Sequence, residues 1–303
     1  MSVTVTTPVR RQSGPRVDAG RPAAVRDSLL SRTAAMAVMA VATAYVLVPL
    51  WWLVVGASKD ESQLIDGNPL WFSDFQLFTN LSDLFQYRDG LFLQWLLNSV
   101  AYTGGAALLG TLFAGMCGYA LAVYRFPGRE MLFNIVLGGV LVPATALALP
   151  LFLMFSQLHA ANTFWSVFLP SIVNPFGVYL ARVYASASVP SDLLEAARID
   201  GAGEVRTFFT VSIRLMTPAL ITIFLFHFVA IWNNFLLPLI MLGDERLFPV
   251  TLGLYTWNSQ VDQNPQLRGL VLIGALMSIV PVVLVFLSLQ RFWRAGLGTG
   301  SLK

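Results

Sequence analysis

The chain has 303 residues, of which 56% are hydrophobic and 12% charged, with a formal net charge of +3. Its mean hydropathy of +0.68 lies outside the range of ordinary soluble domains. One cysteine, Cys117, and two histidines exclude a disulfide framework and a thiolate or imidazole metal set, so no cofactor is expected.

Residues 1–25 are rich in Thr, Pro, Arg and Gly and poor in large apolar side chains, which predicts a disordered arm. Residues 1–32 are too long and too polar for the charged region of a signal peptide. The apolar stretch behind them has no small-residue cleavage site, so it reads as an uncleaved first span. The arginines of the arm read as a retained cytoplasmic flank rather than as a nucleic-acid contact.

Stretches without Asp, Glu, Lys or Arg cover 33–58, 90–124, 131–181, 215–243 and 269–290. A helix crossing the hydrocarbon needs roughly 20 apolar residues, and 131–181 as one helix would be roughly 75 Å long. That run divides at 156–163, giving six predicted spans: 33–57, 96–123, 131–155, 164–181, 218–242 and 269–289. The expected fold class is an all-α, polytopic membrane protein with six transmembrane helices. In domain terms this is an arm (1–32), a first helix (33–57), an outer loop (58–94), a core (95–290) and a tail (291–303).

Fifteen basic residues fall in the arm, in 125–130, in 182–217 and in the tail, against four (Lys59, Arg88, Arg246 and Arg268) on the other side. The positive-inside rule then puts both termini in the cytoplasm. Trp71, Phe72, Phe75, Phe78, Leu84, Phe85 and Tyr87 of the outer loop are expected at the membrane interface or against a partner. In span 2, Ala106/Gly110 and Ala114/Gly118 stand four apart and permit close backbone approach, within the chain or between chains. Prolines 143, 150, 170, 175, 238 and 281 fall inside later spans and predict kinks.

The loop 182–217 is the most specific segment, and from residue 186 it reads SASVPSDLLEAARIDGAGEVRTFFTVSIRLMT. Asp192 suits an N-cap with Glu195 as its capping-box partner, Leu193 to Asp200 make about two turns, and Gly201 suits a left-handed stop. Ala196 and Ala197 leave a smooth surface. Val205, Phe208, Phe209, Ser212 and Leu215 or Met216 then recur at helical spacing, which predicts an amphipathic helix leading into span 5.

This arrangement resembles the signature loop of membrane subunits of binding-protein-dependent ABC importers, in which E-A-A is followed after three residues by Gly. Here it is Glu195-Ala196-Ala197 and then Asp200-Gly201-Ala202; Ile213-Arg214 stands where the family has Leu-Pro, and Pro218 matches a later family proline. Trp232-Asn233-Asn234-Phe235 with Pro238 is similar to the W-N-x-F-x-x-P stretch of the carbohydrate-uptake branch, which contains maltose and glycerol-phosphate permease subunits. Gln290-Arg291-Phe292 through Gly296-Leu297 to Gly300-Ser301-Leu302-Lys303 resembles the tail of that branch.

The resemblance covers about 30–303 and implies a type I ABC importer permease (MetI-like) fold without chemistry of its own. It implies a second homologous permease subunit, a cytoplasmic ABC ATPase dimer and an extracytoplasmic solute-binding protein as partners. The ATPase-coupling role would fall to 192–202, with Asp192, Glu195, Ala196, Ala197, Asp200 and Gly201. The binding-protein contact would fall to 243–268, with Trp257, Asn258 and Gln260.

Polar groups inside spans are costly and mark a cavity or a partner. Asn174, His227, Asn233 and Asn234 are candidates for a solute path, with interhelical hydrogen bonding as the alternative, and Asn98 and Asn134 are further such groups. An ion-coupled secondary transporter normally needs ionisable groups near midplane, and here only His227 titrates within the spans. A membrane enzyme would need paired acids or a Ser/His or metal constellation, and no P-loop motif for ATP occurs in the chain.

Overall fold

The computed structural model describes residues 29–298, and among these every regular element is helical. The arm up to residue 28 and the Gly300–Lys303 end of the tail lie outside the described residues. By its contacts the chain forms two compact units, one ending at Pro49 and one starting at Leu50. Both share α1 (Leu29–Ala57), whose described side chains up to Pro49 are all exposed, as suits a helix solvated by lipid.

The second unit opens with α2 (Glu61–Asp66) and α3 (Leu77–Gln86). Asp60 caps α2 by accepting from the Gln63 amide at 2.8 Å, and that bond lowers its carboxyl below the usual aspartate range. Then come α4 (Leu91–Val123), α5 (Arg129–Leu141), α6 (Ala144–Gln157), α7 (Phe164–Ile172), α8 (Pro175–Ser188) and α9 (Ser191–Ile199). A short α10 (Glu204–Thr207) passes through a π turn (Phe208–Ser212) into α11 (Ile213–Trp232). The chain continues with α12 (Leu236–Met241), a 3-10 turn (Glu245–Leu247), α13 (Val250–Asn258) and α14 (Leu267–Gly298).

Five stretches are long and apolar enough to cross a bilayer: Ser31–Ala57, Leu91–Val123, Phe164–Ser188, Glu204–Trp232 and Leu267–Phe292. The sixth is the pair α5 and α6, bent by 99°. The expected span 131–155 is therefore not one helix. Pro143 has no N–H to donate and biases Val142 toward its extended backbone (φ −76, ψ 119), so α5 stops there. Span 5 also differs from 218–242. Its helix starts at Glu204 and stops at Trp232, and the Asn234 carboxamide oxygen accepts from the Leu237 amide (3.3 Å) as α12 begins.

α4 is the centre of the packing, touching α3, α7, α8, α11 and α13. Its small residues explain why. A Cβ on Gly118 would lie 2.5 Å from Ala181 Cβ, and one on Gly110 would lie 2.5 Å from the Ile172 carbonyl oxygen, so only glycine fits. The small-residue stripe of span 2 is thus a seam within the chain.

Near its N-terminal end, α4 clasps the segment after α12. Trp95 Nε1 donates to the Glu245 carbonyl at 2.7 Å, Asn98 Nδ2 to that of Arg246 at 2.7 Å, and Tyr102 Oη to that of Leu247 at 3.0 Å. Ser99 Oγ accepts from the Val250 amide at 2.7 Å. Residues 95, 98, 99 and 102 share one helix face, so a single stripe holds the whole segment. Leu84, Phe85 and Tyr87 of the outer loop join the core beneath it, while Trp71, Phe75 and Phe78 stay exposed. Ring contacts run on from the exposed Trp51 through the half-buried Phe72 to the exposed Phe75 and Phe78. That run of rings has the composition of a membrane-interface belt.

Candidate docking helix and solute path

The docking candidate is α9. Pro190 stands at its N-cap position (φ −66) and offers no side-chain cap, so the helix starts at Ser191, earlier than expected. Asp192 consequently sits inside the first turn, where its charge opposes the helix dipole favourably, and its Oδ1 accepts from Ser191 Oγ at 3.2 Å. The expected capping box between Asp192 and Glu195 is not formed. Proline, whose φ is already fixed, takes the N-cap position ahead of the aspartate.

The stop follows the sequence reading. Gly201 has φ +76, its N–H reaches the Arg198 carbonyl at 3.0 Å, and the Ala202 N–H reaches that of Ala197 at 2.9 Å. These two bonds make the Schellman pattern, which needs a left-handed residue and therefore favours glycine. Asp200 donates its N–H to the Ala196 carbonyl at 3.0 Å and is exposed.

One side chain of α9 enters the core. Leu194 is buried in a cluster with Tyr119, Ala181, Ala185, Phe208 and Met216. Leu193, Glu195, Ala196, Arg198 and Ile199 face outward, with Ile199 86% exposed. Val205, assigned by spacing to the apolar face, is 70% exposed, and Phe209 is also outside the core. The π turn adds a residue to the register, and the buried line runs Phe208, Ser212, Met216 and Ala219 instead. Sequence reading overlooked Ile199 and Val205 as surface residues. Their signal is an apolar residue beside a glycine stop with no apolar neighbour to cover it.

The four polar candidates of the solute path make different local contacts. His227 Nε2 is 2.9 Å from the Ser171 carbonyl oxygen. That carbonyl would accept from the N–H four residues on, but position 175 is proline, so the imidazole supplies the missing donor. Asn174 is the N-cap of α8, its Oδ1 accepting from the Gly177 amide at 2.8 Å. Asn233 is exposed and its Nδ2 donates back to the Val229 carbonyl of its own helix at 2.9 Å. Asn234 lines a small cavity with Tyr102, Thr103, Ser171 and Trp232.

The break at Val142–Pro143 is open by contrast. Residues 140–147 are all exposed, and Pro143 brings no side-chain cap. A Cβ on Gly139 would lie 3.4 Å from Pro175 Cγ, so the two breaks are neighbours.

In the outer segment Trp257 departs from the sequence expectation. It is buried, its ring centroid 4.5 Å from that of Trp95 and 5.3 Å from that of Tyr87, so it holds the segment rather than presenting a surface. Asn258, Ser259 and Gln260 are the exposed part of that turn.

Comparison with known proteins adds to this geometry. Residues 91–295 match the family model described as the binding-protein-dependent transport system inner membrane component. The chain is 36% identical over 256 residues to the arabinooligosaccharides transport system permease protein AraQ of Halalkalibacterium halodurans, covering 84% of this chain and 90% of that protein. It is 31% identical to the lactose transport system permease protein LacG of Rhizobium radiobacter, covering 88% and 94% respectively. A chain of a bacterial ABC transporter involved in importing the acidic polysaccharide alginate has the same fold. It superposes with a TM-score of 0.77 at 21% identity, over 90% of this chain and 100% of that one.

Proposed function

The chain belongs to the family of binding-protein-dependent transport system inner membrane components, and from that premise we propose how it works as the permease subunit of an ABC importer. The solute class is carbohydrate, because relatives of 30% identity or more that span most of the chain are named for arabinooligosaccharides, lactose and diacetylchitobiose. The subunit crosses the cell membrane several times, with both termini and α9 on the cytoplasmic side by the distribution of basic residues. Its partners are a cytoplasmic ATPase dimer, which hydrolyses ATP, a second permease and an extracytoplasmic solute-binding protein. The domain limits read from the sequence, with a core at 95–290, describe the part that carries transport.

The observation that carries this reading is the outward face of α9, where Leu193, Glu195, Ala196 and Ile199 stand exposed on a helix anchored by Leu194. Such a face fits helix-in-groove docking on the ATPase. Glu195→Lys and Gly201→Trp should each abolish ATPase co-purification while the subunit still inserts in the membrane. Undiminished recovery in both variants contradicts the assignment.

For the path, the open break at Val142–Pro143 supports a lining role. Irregular backbone at membrane depth is tolerated only against protein or a watery cavity, so this break faces the second permease and the solute path rather than lipid. Asn174, Asn233 and Asn234 would then offer carboxamides to hydroxyl-rich solutes, and His227 would hold the neighbouring backbone. Asn258 and Gln260 are the side chains left to meet the binding protein.

A further inference from the structure

Three segments of chain meet at one carboxylate. Arg198 Nε, near the end of α9, donates to Glu204 Oε1 at 2.8 Å. The other oxygen, Glu204 Oε2, accepts from Tyr124 Oη at 2.8 Å. Tyr124 is the C-terminal cap residue of α4, and Glu204 is the first residue of α10, which runs through the π turn into α11. Glu204 therefore bridges the docking candidate α9 to two different membrane helices.

The bridge stands where packing is thin. Between the end of α4 and the start of α10 lies an apolar groove of about 170 Å³, lined by Met116, Tyr119, Ala120, Val205 and Phe209 among others. The side chains of Arg198 and Glu204 are each 47% exposed, and ion pairs so exposed add little to stability. The pair's bearing is on where α9 sits, since the same carboxylate is also held by Tyr124. Alongside it the buried Ser212 Oγ of the π turn has no hydrogen-bond partner among the described residues.

We propose that Glu204 is a positioning residue that makes α9 and α4 move as one body, through Arg198 on one side and Tyr124 on the other. This rests on the reading of α9 as the ATPase-docking helix. Displacement of α9 reaches α8 and α11 through the chain itself, and it reaches the end of α4 directly through this bridge together with the Leu194 contact on Tyr119. Since α4 packs on α7, α8 and α11, a displaced α4 carries most of the membrane unit with it.

The test uses the assembled importer with spin labels at Arg125→Cys and Ser191→Cys, in a Cys117→Ser background, and needs no solute. The distance distribution between the labels is compared without nucleotide and after trapping with ATP and vanadate. In the parent it should not change. In Glu204→Gln, which keeps the size but loses the charge, and in Tyr124→Phe, it should broaden about twofold or shift on trapping, as two bodies hinge apart.

The exchange Arg198→Glu with Glu204→Arg should restore the parent behaviour, which a merely structural loss would not. Unchanged distributions in both single variants, or an equal shift in the parent, overturn the proposal. ATPase co-purification is followed in parallel. Its loss on Glu204→Gln would put Glu204 in the docking surface and overturn the positioning role. Its retention in Gly201→Trp and Glu195→Lys would overturn the docking reading instead.

Discussion

At Asn174–Pro175 the backbone that proline leaves unpaired is taken up inside the chain, whereas at Val142–Pro143 it stays on the surface. The first break has His227 on the Ser171 carbonyl and Asn174 on the Gly177 amide, and Phe164–Ser188 still counts as one span. The second bends by 99° with its flanking residues exposed. The same residue type at similar depth thus serves two ends. One break is a fixed bearing against α4 and α11, and the other has its flanking residues 140–147 exposed.

Substitutions can break or sharpen this contrast. The largest effect is expected from Gly110→Val, because a Cβ there meets the Ile172 carbonyl oxygen at 2.5 Å and His227 Nε2 at 2.7 Å. Overpacking of this kind costs about 3 kcal/mol, and the thermal midpoint of the purified subunit should fall accordingly. His227→Leu comes next, leaving a buried carbonyl without its donor at a cost of about 1–3 kcal/mol. His227→Gln, which can still donate, should recover most of the loss. If Leu and Gln behave alike, the hydrogen bond to Ser171 is not what closes this break.

Asn174→Ala should cost about 1 kcal/mol through loss of the α8 cap, and Asn174→Asp should not. The smallest change in stability is expected at the open break, where Pro143→Ala removes no buried contact. Its readout is access instead. In the assembled importer a cysteine at Ala144→Cys should react with a membrane-impermeant thiol reagent, whereas one at the buried Ser171→Cys should not. Failure of the Ala144 site to react, in the presence and absence of ATP, would mean that lipid or packed protein covers this break.

How far the sequence was readable follows from the range of each interaction. The apolar runs and the Gly201 stop depend on neighbours within a few residues, and the structure has both. The capping box at Asp192 was local too, yet Pro190 pre-empted it by starting the helix earlier. His227 bonds a carbonyl 56 residues away and Trp95 one 150 residues away, and no periodicity encodes such pairs. For the same reason Trp257 looked like a loop residue when its ring was packed on Trp95 and Tyr87. Tyr124 and Glu204, 80 residues apart, had no mark in the sequence at all. The prolines could be placed, but which break would be satisfied depended on where an imidazole from another helix arrived.

α4 runs unbroken from Leu91 to Val123, with the Trp95, Asn98, Ser99 and Tyr102 clasp near one end and the Tyr124 cap at the other. At 1.5 Å per residue such a rod is about 50 Å long, and tilting it by about 5° swings the far tip by roughly 4 Å. If the proposed partners dock at its two ends, both events can therefore be written on a single lever. No relay of side chains across the bilayer is required for each face to register the other.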